Sequence, residues 1–258
     1  MATPDRAERR EILVLEHEAD VPAALFEDWA RERGHALCTL AVPELERWPD
    51  PRAFDVVVSL GSDASVHASP EEWVAREIEF LRSAHDARVH VLGICFGAQA
   101  LAKALGGEVS RARRIQLEWT TLETQDRELI PPGPWLRWHE DVFTVPPAGR
   151  ELARAGGAGG IPLAFVQGRS VGIQFHPEVD AELADTWLES WRRRLLERAV
   201  DDGALRRQVA LAAPGAPARA RDLFDRIARL WDAQDGRTRS SARHVAESAE
   251  AADAPIRR

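Results

Sequence analysis

Residues 91–99 read Val-Leu-Gly-Ile-Cys-Phe-Gly-Ala-Gln, and this stretch decides the fold. Its apolar start fits a buried strand, and a helix is predicted from Phe96 until Gly106-Gly107 end it. Between them stands Cys95, and a side chain at such a junction is exposed on a sharp turn. Gly93 and Gly97 flank the cysteine where a bulky side chain would collide with neighbouring elements. The stretch therefore predicts a strand–turn–helix unit that presents a thiol.

The alternation of strand and helix extends towards the N-terminus. Strands are predicted at 11–15, 36–40, 54–60 and 89–94, with helices over 21–33 and from residue 69. The third of these strands is β-branched and nearly all apolar, which is typical of a parallel sheet covered on both faces. Such an order indicates an α/β doubly wound sheet. Cys38, in the apolar second strand, is interpreted as a core residue.

Residues 113–175 change character, because apolar and polar residues alternate from Ile115 to Thr121 as in a half-exposed strand. A hairpin is predicted between 163–166 and 171–175. Helical patterns follow from 181, near 203–212 and near 217–233. We divide the chain into a catalytic domain over 1–180, a C-terminal helical extension over 181–235 and a disordered tail over 236–258, which has almost no core-forming residues.

Composition excludes several classes of protein. The chain has 258 residues and a net charge of −8, and this acidic balance argues against nucleic-acid binding. No apolar run is long enough for a membrane span, and no secretory signal is visible, so we expect a cytoplasmic protein. Several histidines show no ligand spacing, so no metal is predicted. These are His17, His35, His67, His85, His90 and His244.

A second chemical motif follows the hairpin, where residues 171–178 read Val-Gly-Ile-Gln-Phe-His-Pro-Glu. Pro177 holds His176 in an extended conformation. His176 and Glu178 then project to the same side, since they are two residues apart in extended chain. The glutamate can accept from one ring nitrogen while the other faces a nucleophile, which is the logic of a catalytic triad.

Each of these residues also has a plain structural interpretation. Cys95 can be a small buried hydrophobe, His176 a histidine at a strand end, and Glu178 an acid favoured by a helix N-terminus. The helix that follows Cys95 adds positive potential, which favours the thiolate. The three together favour the catalytic interpretation.

Gly-Ile-Cys-x-Gly-x-Gln followed by Gln-Phe-His-Pro-Glu resembles the class I, triad-type, glutamine amidotransferase family. The resemblance covers roughly residues 10–190. It implies a flavodoxin-like core, a mostly parallel sheet flanked by helices, with Cys95 as nucleophile, His176 as base and Glu178 as its orienting residue. The chain is most similar to stand-alone, synthetase-glutaminase-like members with extra C-terminal helices, since it lacks a Ser-Gly-Gly-x-Asp-Ser signature.

The resemblance also implies further site residues. The backbone N–H groups of Gly61 and Phe96 would form an oxyanion hole, although the family's Gly-Gly-Pro loop is Gly61-Ser62-Asp63 here. Gln99 closes the cysteine motif and would lie close to bound glutamine. Trp138 and His139 open a stretch similar to the family's Ser-His-x-Asp, which meets the α-amino and α-carboxylate ends of glutamine. Core packing is the alternative for Trp138.

These residues imply hydrolysis of the glutamine side-chain amide through a γ-glutamyl thioester, with ammonia supplied to an acceptor or to a synthetase partner. No cofactor is expected for this reaction. One alternative is a hydrolase or transferase that acts on a γ-glutamyl conjugate or another small amide. Another is a non-catalytic binding protein on the same fold, which the intact triad disfavours. The wall near Trp138 and His139 would separate the two enzymes, since closed walls suit free glutamine.

Overall fold

A computed structural model describes residues 9–157, 160–198 and 200–252, with side chains described up to residue 236. It contains ten strands and seven α-helices in those ranges. The strands are β1 (Glu11–Glu16), β2 (Ala36–Ala41), β3 (Val56–Ser59), β4 (His90–Ile94), β5 (Val109–Thr120), β6 (Glu123–Thr124), β7 (Trp135–Phe143), β8 (Arg150–Arg154), β9 (Pro162–Gln167) and β10 (Ser170–Ile173). The helices are α1 (Leu25–Glu32), α2 (Glu72–Asp86), α3 (Phe96–Ala104), α4 (Ala181–Ser190), α5 (Arg192–Glu197), α6 (Asp202–Ala212) and α7 (Ala216–Ala252).

Eight strands form one sheet in the order β2-β1-β3-β4-β10-β9-β8-β6. The first five of these run parallel to one another. Side chains of β1 alternate between two cores, with Ile12 and Val14 on one face and Leu13 and Leu15 on the other. Because both faces are buried, the strands are continuously apolar. The predicted α/β class, with helices flanking a mostly parallel sheet, is confirmed.

The other end of the sheet is antiparallel. β9 and β10 pair as the predicted hairpin, with Gln167 opposite Ser170, and Gly168 in the turn has a φ of 55°. β8 and β6 continue the sheet beyond this hairpin. β5 and β7 form a separate two-stranded antiparallel sheet, which contains the alternating segment predicted as a half-exposed strand. β7 brings residues 138–141 to the carboxyl end of the parallel strands.

Helices after residue 180 pack in two places. Trp187 and Leu188 of α4 and Val209 of α6 form a third core with Leu136 and Trp138 of β7. α7 instead covers α1, where it packs against one face of the main sheet. None of the helices in the described ranges has the length and apolarity that crossing a bilayer requires.

One prediction differs from the structure. Cys38 is exposed and not a core residue, because β2 is the edge strand and its side chains are only partly covered. The backbone of α7 runs as a helix to Ala252, and the disordered tail expected over 236–258 stays a prediction. Residues 253–258 lie outside the described residues.

Candidate active site

Cys95 stands between β4 and α3 as the N-cap of the helix, with φ 52° and ψ −105°. A positive φ is uncommon for a residue with a side chain, and such strain persists only where surrounding structure enforces it. Part of that enforcement is visible, since the Cys95 N–H donates to the Ile173 carbonyl at 2.8 Å. The strand-to-helix elbow predicted from the sequence is therefore present.

The two flanking glycines permit this turn. A Cβ on Gly97 would lie 2.1 Å from the carbonyl oxygen of Ser59, and one on Gly93 would lie 2.4 Å from the carbonyl oxygen of Gly97. Both distances are too short for any side chain. Gly97 in turn donates its N–H to the Leu60 carbonyl at 3.0 Å, which ties the start of α3 to the loop after β3.

His176 and Glu178 lie beyond the end of β10, which is parallel to β4 and beside it. The imidazole Nδ1 is 2.6 Å from the Glu178 carboxylate, and both side chains are buried. The His176 N–H donates to the Leu136 carbonyl at 2.9 Å, which fixes the extended backbone. The two side chains therefore meet on one side of the chain.

The pKa of His176 lies well above its usual value. Burial alone would lower this pKa, but the Glu178 carboxylate and the adjacent Cys95 sulfur favour the imidazolium and outweigh burial. Both Nε2 of His176 and Sγ of Cys95 face the Trp138 carbonyl oxygen, at 3.4 and 3.7 Å. The structure thus brings the three predicted triad residues together, with Cys95 and His176 lining one cavity and Glu178 in contact with His176.

Gly61 follows β3 and lies beside both groups. A Cβ placed on it would be 3.3 Å from Cε1 of His176 and 3.9 Å from Cβ of Cys95. In the described part of the chain, the backbone N–H groups of Gly61, Ser62 and Phe96 have no hydrogen-bond acceptor. Gly61 and Phe96 thus lie close to Cys95 with their N–H groups unused, and their role as oxyanion donors stays a prediction.

Gln99 lies one helical turn after Cys95 and is buried. Its amide donates to the Asp141 carbonyl at 3.0 Å and to the Gln174 side chain at 3.4 Å. The amide of Gln174 in turn lies 3.6 Å from Sγ of Cys95. Gln99 lines the cavity and also ties α3 to β7, and its closeness to bound glutamine stays a prediction.

Trp138 and His139 both line the same cavity. The indole of Trp138 packs edge-on against Trp187, with ring centroids 5.6 Å apart, while its carbonyl faces Cys95 and His176. Core packing is therefore present, and a contact of Trp138 with glutamine stays a prediction. Nδ1 of His139 contacts the Asp141 carbonyl at 3.0 Å, whereas Nε2 lacks a partner among the described residues. Burial lowers the pKa of His139 to about 3, so this ring is neutral near pH 7.

The helical extension supplies part of the cavity wall, which the sequence did not predict. Trp187 packs edge-on against the His176 ring at 4.9 Å and donates its indole N–H to the Asp20 carbonyl at 2.6 Å. Trp191 lines the cavity beside it, and Arg194 forms an ion pair with Asp63 at 2.5 Å. The spacing of four residues between the tryptophans predicted a helix but carried no signal about its partner.

A second buried pair, His17 and Glu77, was also missed. Nε2 of His17 is 2.8 Å from the Glu77 carboxylate, while Nδ1 is 2.9 Å from the Gly61 carbonyl oxygen. Neither side chain is exposed. The two residues are 60 positions apart and share no local motif, so no sequence signal joined them. Within the described ranges, no cluster of three His, Cys, Asp or Glu residues could hold a metal ion.

Comparisons with known proteins agree with this geometry. A family model described as glutamine amidotransferase class-I matches residues 56–191, just over half of the chain. A glutamine-hydrolyzing GMP synthase from Aeropyrum pernix is 35% identical over 151 residues, which are 54% of this chain and 28% of that protein. One subunit of the glutamine-hydrolyzing GMP synthase of Sulfolobus acidocaldarius is 39% identical over 94 residues, 34% of this chain and 50% of that one.

The match therefore spans at most half the length of these two relatives. A crystal structure of a glutamine amidotransferase from Thermotoga maritima superposes with a TM-score of 0.73 at 25% identity, over 84% of this chain and 97% of that one. The matched sequence region contains the elbow, the His176–Glu178 pair and the loop after β3. The chain belongs to the class-I glutamine amidotransferase family.

Proposed function

We propose that this chain hydrolyses the side-chain amide of glutamine, with Cys95 as nucleophile and His176 as acid and base. One observation carries the proposal. The strained Cys95 elbow, His176, Gly61 and Phe96 line a single cavity, and Glu178 holds His176 from outside its lining. A nucleophile, a base, its orienting carboxylate and an oxyanion site are the parts that acyl transfer requires.

The reaction proceeds in two halves. The Cys95 thiolate attacks the amide carbon, the carbonyl oxygen becomes an oxyanion, and the N–H groups of Gly61 and Phe96 stabilise it. His176 gives its proton to the amide nitrogen, the C–N bond breaks, and ammonia leaves a γ-glutamyl thioester. His176 then takes a proton from water as the water oxygen attacks the thioester. Glutamate is released and the thiolate is restored.

Glu178 orients the base and sustains its charge. Its carboxylate accepts the Nδ1 hydrogen, so Nε2 is the nitrogen that exchanges a proton with the substrate. The same carboxylate helps to raise the pKa of His176, which keeps the imidazolium available as a general acid at neutral pH. These roles assign Cys95, His176 and Glu178 as the catalytic residues.

We also propose that the ammonia passes to a synthetase. Free ammonia becomes mostly ammonium in neutral water and loses its nucleophilicity, so a nearby acceptor is needed. The relatives named above are GMP synthases, one of them a single subunit of such an enzyme. From this likeness we propose a synthetase as the carrier of the acceptor site.

Free glutamine is the substrate that the cavity wall favours over a γ-glutamyl conjugate. Trp138, Trp187 and Trp191 enclose the side of the cavity next to His176, and the Arg194–Asp63 pair lies beside them. A conjugate would need this side open for its amine. We therefore assign residues 1–180 as the catalytic domain and residues 181–235 as an extension that completes its wall.

The first experiment measures glutamate and ammonia release from glutamine by the purified protein, beside Cys95→Ala and with γ-glutamyl-p-nitroanilide as a second substrate. The proposal predicts release from glutamine that the Cys95→Ala change abolishes. Cleavage of the anilide without cleavage of glutamine would instead favour the conjugate hydrolase. Equal release by the variant and the wild type would remove Cys95 from the mechanism.

A further inference from the structure

The loop that supplies the oxyanion donor is held by two anchors. On one side of Gly61, the Leu60 carbonyl accepts from the Gly97 N–H at 3.0 Å, which fixes the Leu60–Gly61 peptide. On the other side, the Gly61 carbonyl oxygen faces Nδ1 of His17 at 2.9 Å, which fixes the Gly61–Ser62 peptide. The first anchor is backbone to backbone. The second anchor depends on the His17 side chain alone. Gly61, which lies between the two anchors, restricts rotation of the backbone least.

The hydrogens of His17 follow from its neighbours. A carbonyl oxygen can only accept, so Nδ1 carries a hydrogen and donates it to Gly61. Burial alone would lower the pKa of His17, but the charge and hydrogen bond of Glu77, together with the Gly61 carbonyl, raise it. The raised pKa favours the ring form that carries both hydrogens, with the Nε2 hydrogen donated to the Glu77 carboxylate. Glu77 is itself held, because the Ser59 hydroxyl donates to its other oxygen at 2.6 Å.

The same ring touches the other side of the oxyanion site. His17 packs at an angle against Phe96 with centroids 4.8 Å apart, and it stacks on Trp73 at 5.2 Å. Phe96 carries one proposed donor on its backbone nitrogen. His17 thus contacts the two elements that the oxyanion site joins, the loop after β3 and the start of α3.

The hydrogen bond from His17 to the Gly61 carbonyl also sets the direction of the Ser62 N–H. A trans peptide points its N–H opposite to its C=O, so the Ser62 N–H points away from His17. That N–H lacks an acceptor among the described residues, and Ser62 lines the cavity. Donation to the Gly61 carbonyl also polarises the peptide, which strengthens its N–H as a donor.

We propose that His17, held by Glu77, is a positioning residue that sets the Gly61–Ser62 peptide and so completes the oxyanion site with the Ser62 N–H. This inference rests on the proposed glutaminase function. His17 does not touch the substrate and transfers no proton. Its contribution appears in the tetrahedral intermediate, where the oxyanion exists, and not in glutamine binding.

Two near-isosteric changes separate the contacts of His17. The amide nitrogen of asparagine reaches about the position of Nδ1, so His17→Asn keeps a donor for Gly61. The amide of glutamine reaches about the position of Nε2, so His17→Gln keeps a partner for Glu77 and loses the Gly61 donor. Loss of one oxyanion donor costs about 10²–10³ in kcat, and we expect His17→Gln to lose about 10- to 100-fold with KM nearly unchanged. His17→Asn should lose several-fold less.

The rate at which iodoacetamide alkylates Cys95 separates a positioning role from general damage to the site. Damage to the site would slow alkylation as well as glutamine hydrolysis. This displacement forms no oxyanion, so its rate reports the thiolate and access to it alone. We expect His17→Gln to alkylate at the wild-type rate while its kcat for glutamine falls. His85→Gln is the matched control, since His85 lies at the end of α2 and contacts Ser170 at 2.8 Å, away from the cavity.

Each outcome decides the question. A wild-type kcat in His17→Gln, equal losses in His17→Asn and His17→Gln, or a parallel fall in alkylation would each overturn the positioning role. If His17→Gln does not fold, Glu77→Gln carries the test, with a kcat loss of about 3- to 10-fold and unchanged alkylation expected. An unchanged kcat there would overturn the role. A wild type that alkylates at Cys95 but does not hydrolyse glutamine would instead disprove the proposed function.

Discussion

Two buried histidine–glutamate pairs lie on opposite sides of Gly61, and they differ in how the chain builds them. His176 and Glu178 are two residues apart in one extended segment, with Nδ1 2.6 Å from the carboxylate. His17 and Glu77 are 60 residues apart, and β1 and α2 bring them to 2.8 Å. The first pair faces the cavity, whereas the second faces the back of the loop that lines it. We therefore expect similar chemistry to act on the substrate in one place and on the scaffold in the other.

The largest effect is expected at the first pair, from His176→Gln. Glutamine cannot exchange a proton with the leaving nitrogen, so we expect a fall in kcat/KM of about 10³-fold or more, from the steady-state rate of glutamate release. The comparison requires this loss to exceed that of His17→Gln by at least about tenfold. Equal losses would mean that the two histidines act as one unit.

The carboxylates offer a second, matched comparison. Glu178→Gln replaces a carboxylate acceptor by an amide whose nitrogen can donate to Nδ1. The neutral ring would then carry its hydrogen on Nε2, and Nε2 could no longer accept a proton. We expect a loss in kcat of about 10²-fold, against at most about tenfold for Glu77→Gln. Thermal unfolding of both variants serves as the control. A larger catalytic loss in Glu77→Gln than in Glu178→Gln would contradict the division of roles.

The pair at the cavity also predicts a pH dependence. The folded pKa of His176 is raised, so its imidazolium persists above 6.5, and both its acid function and its stabilising effect fade as pH rises through the folded pKa. Activity should therefore decline on the alkaline side. Glu178→Gln removes the largest contribution that raises this pKa, so the decline should move to lower pH. Glu77→Gln should leave it in place, and a profile that is identical in all three proteins would refute the assignment.

The same contrast explains what the sequence could predict. The elbow at Cys95 and the His176-Pro177-Glu178 segment are local, so their spacing predicted the turn at the cysteine and the contact between His176 and Glu178. The meeting of Cys95 with His176 followed from the resemblance to a known family. His17 follows β1 and Glu77 lies in α2, and the two meet where β1 pairs with β3, whose Ser59 donates to Glu77. Strand order is a property of the whole sheet and leaves no local signal.

Other differences have the same origin. Cys38 lies in a run as apolar as the central strands, and only its place at the sheet edge exposes it. The helical spacing of Trp187 and Trp191 predicted a buried face but not that it would cover His176. Local turns and periodic patterns could be predicted from the sequence. Contacts between residues far apart in the chain could not, because they depend on the order of the strands in the sheet.

A smaller effect is expected where the second pair meets α3. Gly97→Ala would place a Cβ 2.1 Å from the carbonyl oxygen and 2.4 Å from the hydroxyl of Ser59, which donates to Glu77. We expect the free energy of unfolding to fall by about 1–3 kcal/mol, measured by urea denaturation. Gly236→Ala is the matched control, since nothing among the described atoms lies within 4 Å of its Cβ.

This control lies in α7, where alanine is a better helix former than glycine, so the control variant should be no less stable than the wild type. An equal loss in both glycine variants would show that the change reflects the helix and not the contact with Ser59. A loss of stability confined to Gly97→Ala would show that close packing of Ser59 against the start of α3 stabilises the fold.

The smallest effect is expected at a charged pair that is close to the cavity but exposed. Arg194 and Asp63 are 2.5 Å apart, yet their side chains are 49% and 37% exposed. Water screens such a pair, so Arg194→Ala should change the free energy of unfolding by less than about 1 kcal/mol. Its effect on the KM for glutamine should stay below about fivefold, which corresponds to the same energy. Added salt should weaken the wild-type pair and reduce the difference between the two proteins. A loss as large as that of His17→Gln would mean that closure of the wall, and not burial of the histidine–glutamate pairs, controls the reaction.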